Sequence, residues 1–370
     1  MRRHAFARTE QAVLDDLRER LRRFRSVPGV RLDGAPGVPE PLLRALLEHW
    51  RDGFDWRVQE ERIAALPWWE TERAPVPLRA VVSPAAGASS VAAAAAPVVV
   101  LLHGWPDSVL RFERLLPLLG DVTVVVPALP GFPFAAPVAQ GGLSSVAMAD
   151  AVADALAELG VERCVVSAGD VGCDVAEALA ARHPALVAAL HLTDVSQYHF
   201  LVDPPGDLDA EERAYVERGH RWQAAEGGYM HEQSTRPNTL AVGLGDSPAA
   251  LAAWIVEKLL RWSDGDGSLT DVFSLDEALT WVSAYWVSAS IGTSFTPYAA
   301  AGAKEWPRIE VPTVVTTFPR DLVNAPRRFA ERFFDVVAWR EFERGGHFAA
   351  WERPHEHLWG VRTALEARRR

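Results

Sequence analysis

Between residues 10 and 25 apolar side chains return every third or fourth position, at Val13, Leu17, Leu21 and Phe24, with charged residues between them. That spacing predicts one polar helix with a single apolar stripe, which must pack against a partner. A turn-rich segment with Pro28, Gly29, Gly34, Pro36, Gly37 and Pro39 follows. A second helix is predicted near Pro41 to Arg51, running into the dense string Trp50-Arg-Asp-Gly-Phe-Asp-Trp-Arg57. The first eighty residues thus read as a helical meander. Residues 83–97 are nearly all Ala, Ser, Gly, Val and Pro, the pattern of a surface loop. From residue 97 the pattern changes to short apolar runs alternating with helical spacing. Pro97 to Leu102, Val122 to Val126 and Arg163 to Ser167 read as strands, and Ser144 to Leu159 and Val171 to Arg182 as helices. Continuous apolar runs separated by helices predict a mostly parallel sheet wound with helices, an α/β fold. Residues 195–300 are helical and aromatic without comparable strands, and strand patterns return at Val311 to Phe318 and Val336 to Phe342. The expected organisation is therefore an N-terminal segment (1–96), a sheet core (97–194 and 301–370), and a helical cap (195–300) inserted where it can roof a pocket.

Length and composition narrow this picture. At 370 residues, with 49% hydrophobic and 24% charged positions, the chain can bury one large core and is not a small stapled module. Its formal charge of -11 disfavours nucleic acid as a partner. The only cysteines, Cys164 and Cys173, form neither a disulfide framework nor a zinc-binding pattern. The N-terminus lacks the apolar stretch of a signal peptide, and no apolar run approaches the roughly 18 to 20 residues of a membrane span. A cytoplasmic protein without membrane span, metal or cofactor is expected.

The candidate chemistry starts at Ala168-Gly-Asp-Val-Gly172, which lies between a predicted strand and a predicted helix. Small residues around a central side chain permit a tight, strained turn that lifts Asp170 to the N-terminus of the helix, the position of a nucleophile. The competing reading is that Asp170 merely caps that helix. His103-Gly104-Trp105-Pro106 directly follows another strand, where an α/β-hydrolase fold carries the loop that completes an oxyanion hole. The main-chain N–H groups of Trp105 and Val171 would be the donors. Arg344-Gly-Gly-His347-Phe348 follows the last strand, where a general base belongs. Asp321, ending the preceding strand, is the candidate acid that orients His347, with Asp335 and Glu341 as possible substitutes.

With these residues in hand, the chain resembles the epoxide hydrolases of the α/β-hydrolase fold, in the microsomal-type branch with an extra N-terminal segment. The resemblance rests on His49-Trp-Arg-Asp-Gly-Phe-Asp-Trp-Arg57, Ala65-Leu-Pro67, His103-Gly-Trp-Pro106, Leu129-Pro-Gly-Phe132, Gly169-Asp-Val-Gly172 and Gly345-Gly-His-Phe348. In the cap it rests on Glu226-Gly-Gly-Tyr-Met-His-Glu-Gln-Ser-Thr-Arg-Pro237 and Ala252-Ala-Trp-Ile-Val-Glu-Lys258. The resemblance implies that two cap tyrosines, Tyr229 and Tyr298, donate hydrogen bonds to an epoxide oxygen. It allows a monomer or a homodimer. Two departures stand out. Ala168 and Val171 replace the Gly and Trp usual in this family's elbow, which should reshape the pocket beside the nucleophile, and residues 77–96 lack the familiar apolar strand. A carboxylate attacking a strained sp3 carbon gives an ester that water can cleave, so Asp170 implies an alkylated intermediate and a vicinal diol product. Trp222, Trp254, Trp262, Trp281 and Trp286 suggest a bulky or aromatic small-molecule epoxide, and similar bacterial enzymes suggest a place in natural-product biosynthesis. The rival readings are a haloalkane dehalogenase and a non-catalytic ligand-binding relative.

Overall fold

The computed structural model describes residues 1–29, 37–87 and 97–369. The N-terminal segment opens with β1 (Arg2–Arg3), continues through α1 (Gln11–Arg22), α2 (Glu40–Asp52) and α3 (Trp56–Ala64), and closes with β2 (Trp68–Glu70) and β3 (Arg79–Ser83). The core follows as β4 (Val98–Leu102), β5 (Thr123–Ala128), α4 (Ser145–Glu158), β6 (Cys164–Ala168), α5 (Val171–Arg182) and β7 (Val187–Leu192). Between β7 and the next strand lie α6 (Tyr198–Leu201), α7 (Ala210–Glu226), α8 (Gly228–Thr235), α9 (Pro237–Asp246), α10 (Pro248–Arg261), α11 (Leu275–Ser288) and α12 (Thr296–Ala299). The chain then returns through β8 (Ile309–Thr317), α13 (Arg327–Glu331), β9 (Phe334–Glu341), α14 (Ala349–Glu352) and α15 (Pro354–Ala367).

Among the described residues the strands form one sheet in the order β1-β2-β3-β5-β4-β6-β7-β8-β9. It is antiparallel from β1 to the β3–β5 pair and parallel from the β5–β4 pair to β9. Every residue of β4, β5, β6 and β7 is buried, as befits strands covered on both faces. Placing β4 between β5 and β6 aligns the C-terminal ends of β4 and β6, with Leu102 opposite Ala168. The loops after these two strands therefore meet, at the kind of crevice where α/β sheets bind ligands.

Three features differ from the sequence expectation. The N-terminal segment is not wholly helical. β3 pairs with β5 within the stretch that seemed to lack a strand, because its sequence Arg-Ala-Val-Val-Ser holds only two strongly apolar side chains. β7 escaped notice because Ala188, Ala189 and His191 dilute its apolar run. The Ala-rich loop and the turn at Gly34 and Pro36 lie largely outside the described residues.

The N-terminal helices do not form a separate body. α1 and α2 pack on α10, and α2 and α3 on α11. Leu46 and Trp50 are buried there, and His49 Nε2 lies 2.7 Å from Asp276 Oδ1 at the start of α11. No single helix among the described residues is long and apolar enough to cross a membrane.

Candidate active site

Asp170 occupies the turn between β6 and α5 with φ 56° and ψ -134°. A non-glycine residue held there costs about 1–3 kcal/mol, a strain the surrounding packing must sustain. The neighbours make it possible. A Cβ on Gly172 would collide with the carbonyl of Leu102, one on Gly169 with Thr193 and Arg111, and one on Gly104 with the Asp170 carboxylate. Asp170 makes no side-chain cap to α5, which removes the capping reading. Its Oδ1 instead accepts the Trp105 main-chain N–H at 2.7 Å. Its Oδ2 lies 3.5 Å from His347 Nε2. Burial raises the Asp170 pKa; the charge of His347 and the N–H groups of Trp105 and Val171 pull against that rise.

The loop after β4 is held by buried charge. Asp107 Oδ1 accepts the Gly104 N–H at 2.9 Å, and its Oδ2 takes the Arg111 guanidinium. Although burial opposes it, Arg111 keeps Asp107 down at about 2. Arg111 also donates to the main-chain carbonyl of His347, tying the two loops together. His103 is buried, and its Nε2 accepts the Leu129 N–H at 3.1 Å, so this ring braces the loop rather than facing the reaction. The Trp105–Pro106 bond is cis. Sequence reading passed over Asp107 and Arg111. Their signal was the (i, i+4) pair of opposite charges directly after the His103 string.

His347 Nδ1 lies 2.8 Å from Asp321 Oδ1. Asp335 reaches Arg308 and Glu341 takes the Trp339 indole N–H, so neither substitute approaches the imidazole. Burial works to lower the His347 pKa, but the charges of Asp321 and Asp170 outweigh it and raise the group above 6.5. The Gly345-Gly346 turn is tight, with Gly345 at φ 121°. Glu352 fixes the loop by accepting the Phe348 and Asp264 N–H groups at 3.0 and 2.7 Å, and the Trp262 carbonyl accepts the His347 N–H at 2.8 Å.

Helices α8 and α12 pack together and bring Tyr229 and Tyr298 into one wall, their ring centroids 6.1 Å apart. Trp105 stacks on Tyr229 at 5.2 Å. Burial, then the charge of Asp170, push both phenols well above their usual pKa, so both stay protonated. With Asp170 they line a cavity of about 350 Å³ that also includes Val171 and Asp194. The five tryptophans read as signs of an aromatic substrate do not line it; Trp281, for example, packs against Phe273, Phe348 and Trp351. The geometry offers a carboxylate for attack, a base beside it, an anion-binding pair of N–H groups, and two protonated phenolic hydroxyls that line the same cavity.

Fold and site together define an α/β-hydrolase whose elbow carries a carboxylate. The chain belongs to the epoxide hydrolases. The family model "Epoxide hydrolase N terminus" matches residues 3–112, and "alpha/beta hydrolase fold" matches residues 97–224. A Stigmatella aurantiaca protein described as an epoxide hydrolase is 34% identical, with 93% of this chain and 80% of that protein covered. Epoxide hydrolase 1 of Sus scrofa is 29% identical over 94% of this chain and 84% of its own. Among solved structures, the epoxide hydrolase of Aspergillus niger superposes with a TM-score of 0.85 at 28% identity, covering 99% of this chain and 96% of its own.

Proposed function

We propose that the protein converts a small-molecule epoxide into a vicinal diol through an ester on Asp170. The observation that carries this reading is the split environment of one carboxylate: Oδ1 sits on the Trp105 N–H while Oδ2 faces His347 and the cavity. Oδ2 attacks a ring carbon as the C–O bond breaks, and Tyr229 and Tyr298 hydrogen-bond the departing oxygen, one of them delivering its proton. His347, oriented by Asp321, then takes a proton from water, which attacks the ester carbonyl. The N–H groups of Trp105 and Val171 hold the oxyanion; collapse breaks the bond between the acyl carbon and Oδ2, the leaving oxygen takes the remaining proton of the water, the proton on His347 restores the tyrosine, and the diol departs carrying Oδ2. A dehalogenase would need side-chain N–H donors for the halide beside the elbow, and Val171 supplies none. A bulky or aromatic substrate is proposed on the aromatic richness of the cap alone, since Trp222, Trp254, Trp262, Trp281 and Trp286 do not line the cavity. A tailoring step in natural-product biosynthesis is proposed on the resemblance to bacterial enzymes alone.

Single-turnover incubation with styrene oxide and bulkier aryl epoxides in 18O water tests the reaction. Unlabelled first-turnover diol, with a covalent adduct at Asp170 accumulating in His347→Gln, is the expected result. Direct label entry, or full activity in Asp170→Asn, would overturn it.

A further inference from the structure

The base stands on the core, yet much of what holds its loop comes from the helical insertion. The main chain around His347 reaches across to residues 262–264, the segment that follows α10. The His347 N–H donates to the Trp262 carbonyl at 2.8 Å, and two residues earlier the Gly345 N–H donates to Asp264 Oδ2 at 2.9 Å. The Asp264 N–H in turn donates to Glu352 Oε2 at 2.7 Å, while Glu352 Oε1 accepts the Phe348 N–H at 3.0 Å. The Gly345 carbonyl accepts the Arg320 N–H at 3.0 Å, next to Asp321, which orients the imidazole. Gly346 lets the two segments approach, since a Cβ there would collide with the Trp262 carbonyl and the Asp264 N–H. The Trp262 ring packs on both His347 and Tyr229, each at a centroid separation of 5.2 Å.

The geometry points to Asp264 as a positioning residue for the general base, one that serves hydrolysis of the ester on Asp170 and not its formation. This rests on the ester reading above. Asp264 does not line the cavity and touches no reacting atom. It acts through Gly345: by holding that N–H it fixes the course of the chain into His347, and the carbonyl of the same residue is tied to the strand end that carries Asp321. With Nδ1 pinned by Asp321, any shift of the loop swings Nε2, the atom that must meet the water at the ester carbonyl, and proton transfer tolerates little misplacement. Ester formation draws on Asp170, Tyr229 and Tyr298, which stand on the β6–α5 turn, α8 and α12, so it is spared. Arg344, Arg320 and Arg353 lie 3.1, 3.9 and 3.9 Å from the same carboxylate. The first two side chains are largely exposed, and solvent weakens such pairs, so the partly buried hydrogen bond to Gly345 is the link that counts. Sequence reading passed over Asp264 because nothing in Trp262-Ser-Asp264 signals a partner 81 residues further on.

Rapid-quench measurement of intact protein mass with styrene oxide resolves the two half-reactions. Asp264→Ala should form the Asp170 adduct within about threefold of the wild-type rate but hydrolyse it about tenfold or more slowly. Adduct then accumulates at steady state, and kcat and KM fall together while kcat/KM is held. Asp264→Asn, whose side-chain oxygen still accepts the Gly345 N–H, should hydrolyse the adduct within about threefold of wild type. Should Asp264→Ala not fold, Asp264→Ser keeps a polar side chain that ends one atom short of Gly345 and should show the same split. Equal loss in both half-reactions, unchanged hydrolysis in Asp264→Ala or Asp264→Ser, or an Asp264→Asn as slow as Asp264→Ala overturns the assignment. Nuclear magnetic resonance of the free enzyme keeps the two claims apart. The His347 Nδ1 proton, held by Asp321, gives a low-field signal that Asp264→Ala should shift and broaden and Asp264→Asn should leave in place. If no epoxide forms an adduct, the ester reading falls and this signal alone decides the role of Asp264: moved by the Ala variant and not by Asn, it upholds the positioning; unmoved by Ala, it refutes it.

Discussion

At the residue scale the site depends on close approach as much as on charge. Gly104 carries no Cβ where one would collide with the Asp170 carboxylate. Gly104→Ala should therefore displace the nucleophile and slow ester formation by about 10²-fold, measured as the burst rate in a stopped-flow assay. Tyr229→Phe and Tyr298→Phe each remove one hydrogen-bond-donating hydroxyl, and each should lower kcat about 10²-fold while leaving the fold intact. Steady-state kinetics with circular dichroism as the control checks this. His347 accepts a proton only when neutral, and in the ester, where Asp170 carries no charge, Asp321 is the carboxylate left to hold its pKa up against the pull of burial. Hydrolysis of the ester should accordingly rise with pH as His347 loses its proton, and Asp321→Asn should move that midpoint down. Asp170, His103 and His347 were legible in the sequence because each sits in a short string with the glycines its turn requires. Asp107 and Arg111 were not, since their roles arise only when distant loops meet.

At the element scale, β4, β5 and β6 could be read from the sequence because strands buried on both faces are continuous apolar runs. β1, β2 and β3 are short elements toward one edge, and β7 carries a buried histidine, so neither announces itself by pattern. Aromatic richness in a helical insertion looks like a binding pocket, but Trp281 packs on Phe273, Phe348 and Trp351, and Trp262 on Trp105, Tyr229 and His347. The N-terminal helices meet the cap at α10 and α11. That contact makes α2 a support for the cap. Leu46 is wholly buried where α2 meets α10 and α11. Leu46→Ala should cost about 2–5 kcal/mol in denaturant unfolding. It should also raise KM, because the cap tyrosines ride on helices that α2 helps to hold.

For the molecule as a whole, a polar network lies inside the core beneath the elbow. Ser167 Oγ is 2.8 Å from His191 Nδ1 and 3.1 Å from His357 Nε2, and His191 Nε2 is 2.8 Å from Thr316 Oγ1. Burial lowers the His191 pKa to about 3 and takes His357 well below its usual value. Both rings are thus neutral in the folded protein, whereas the unfolded chain takes up protons below about 6.5. The stability present above pH 6.5 is lost as the pH falls, with His191 alone contributing about 2 kcal/mol between pH 6.5 and 5. Urea unfolding at the two pH values checks this, and His191→Gln should flatten the dependence.

The resting position of Asp170 Oδ1 on the Trp105 N–H has an isotopic consequence. Under the ester reaction, the oxygen that leaves in each diol is Oδ2, and the water oxygen takes its place on the carboxylate. If the main-chain donor keeps Oδ1 in place between cycles, each diol carries the water oxygen captured one cycle earlier. The enzyme would then keep a memory of its solvent lasting a single turnover. Transferred from 18O to ordinary water after one cycle, it should release one fully labelled diol and then none. Carboxylate rotation between cycles would instead spread that label over successive products, halving each time.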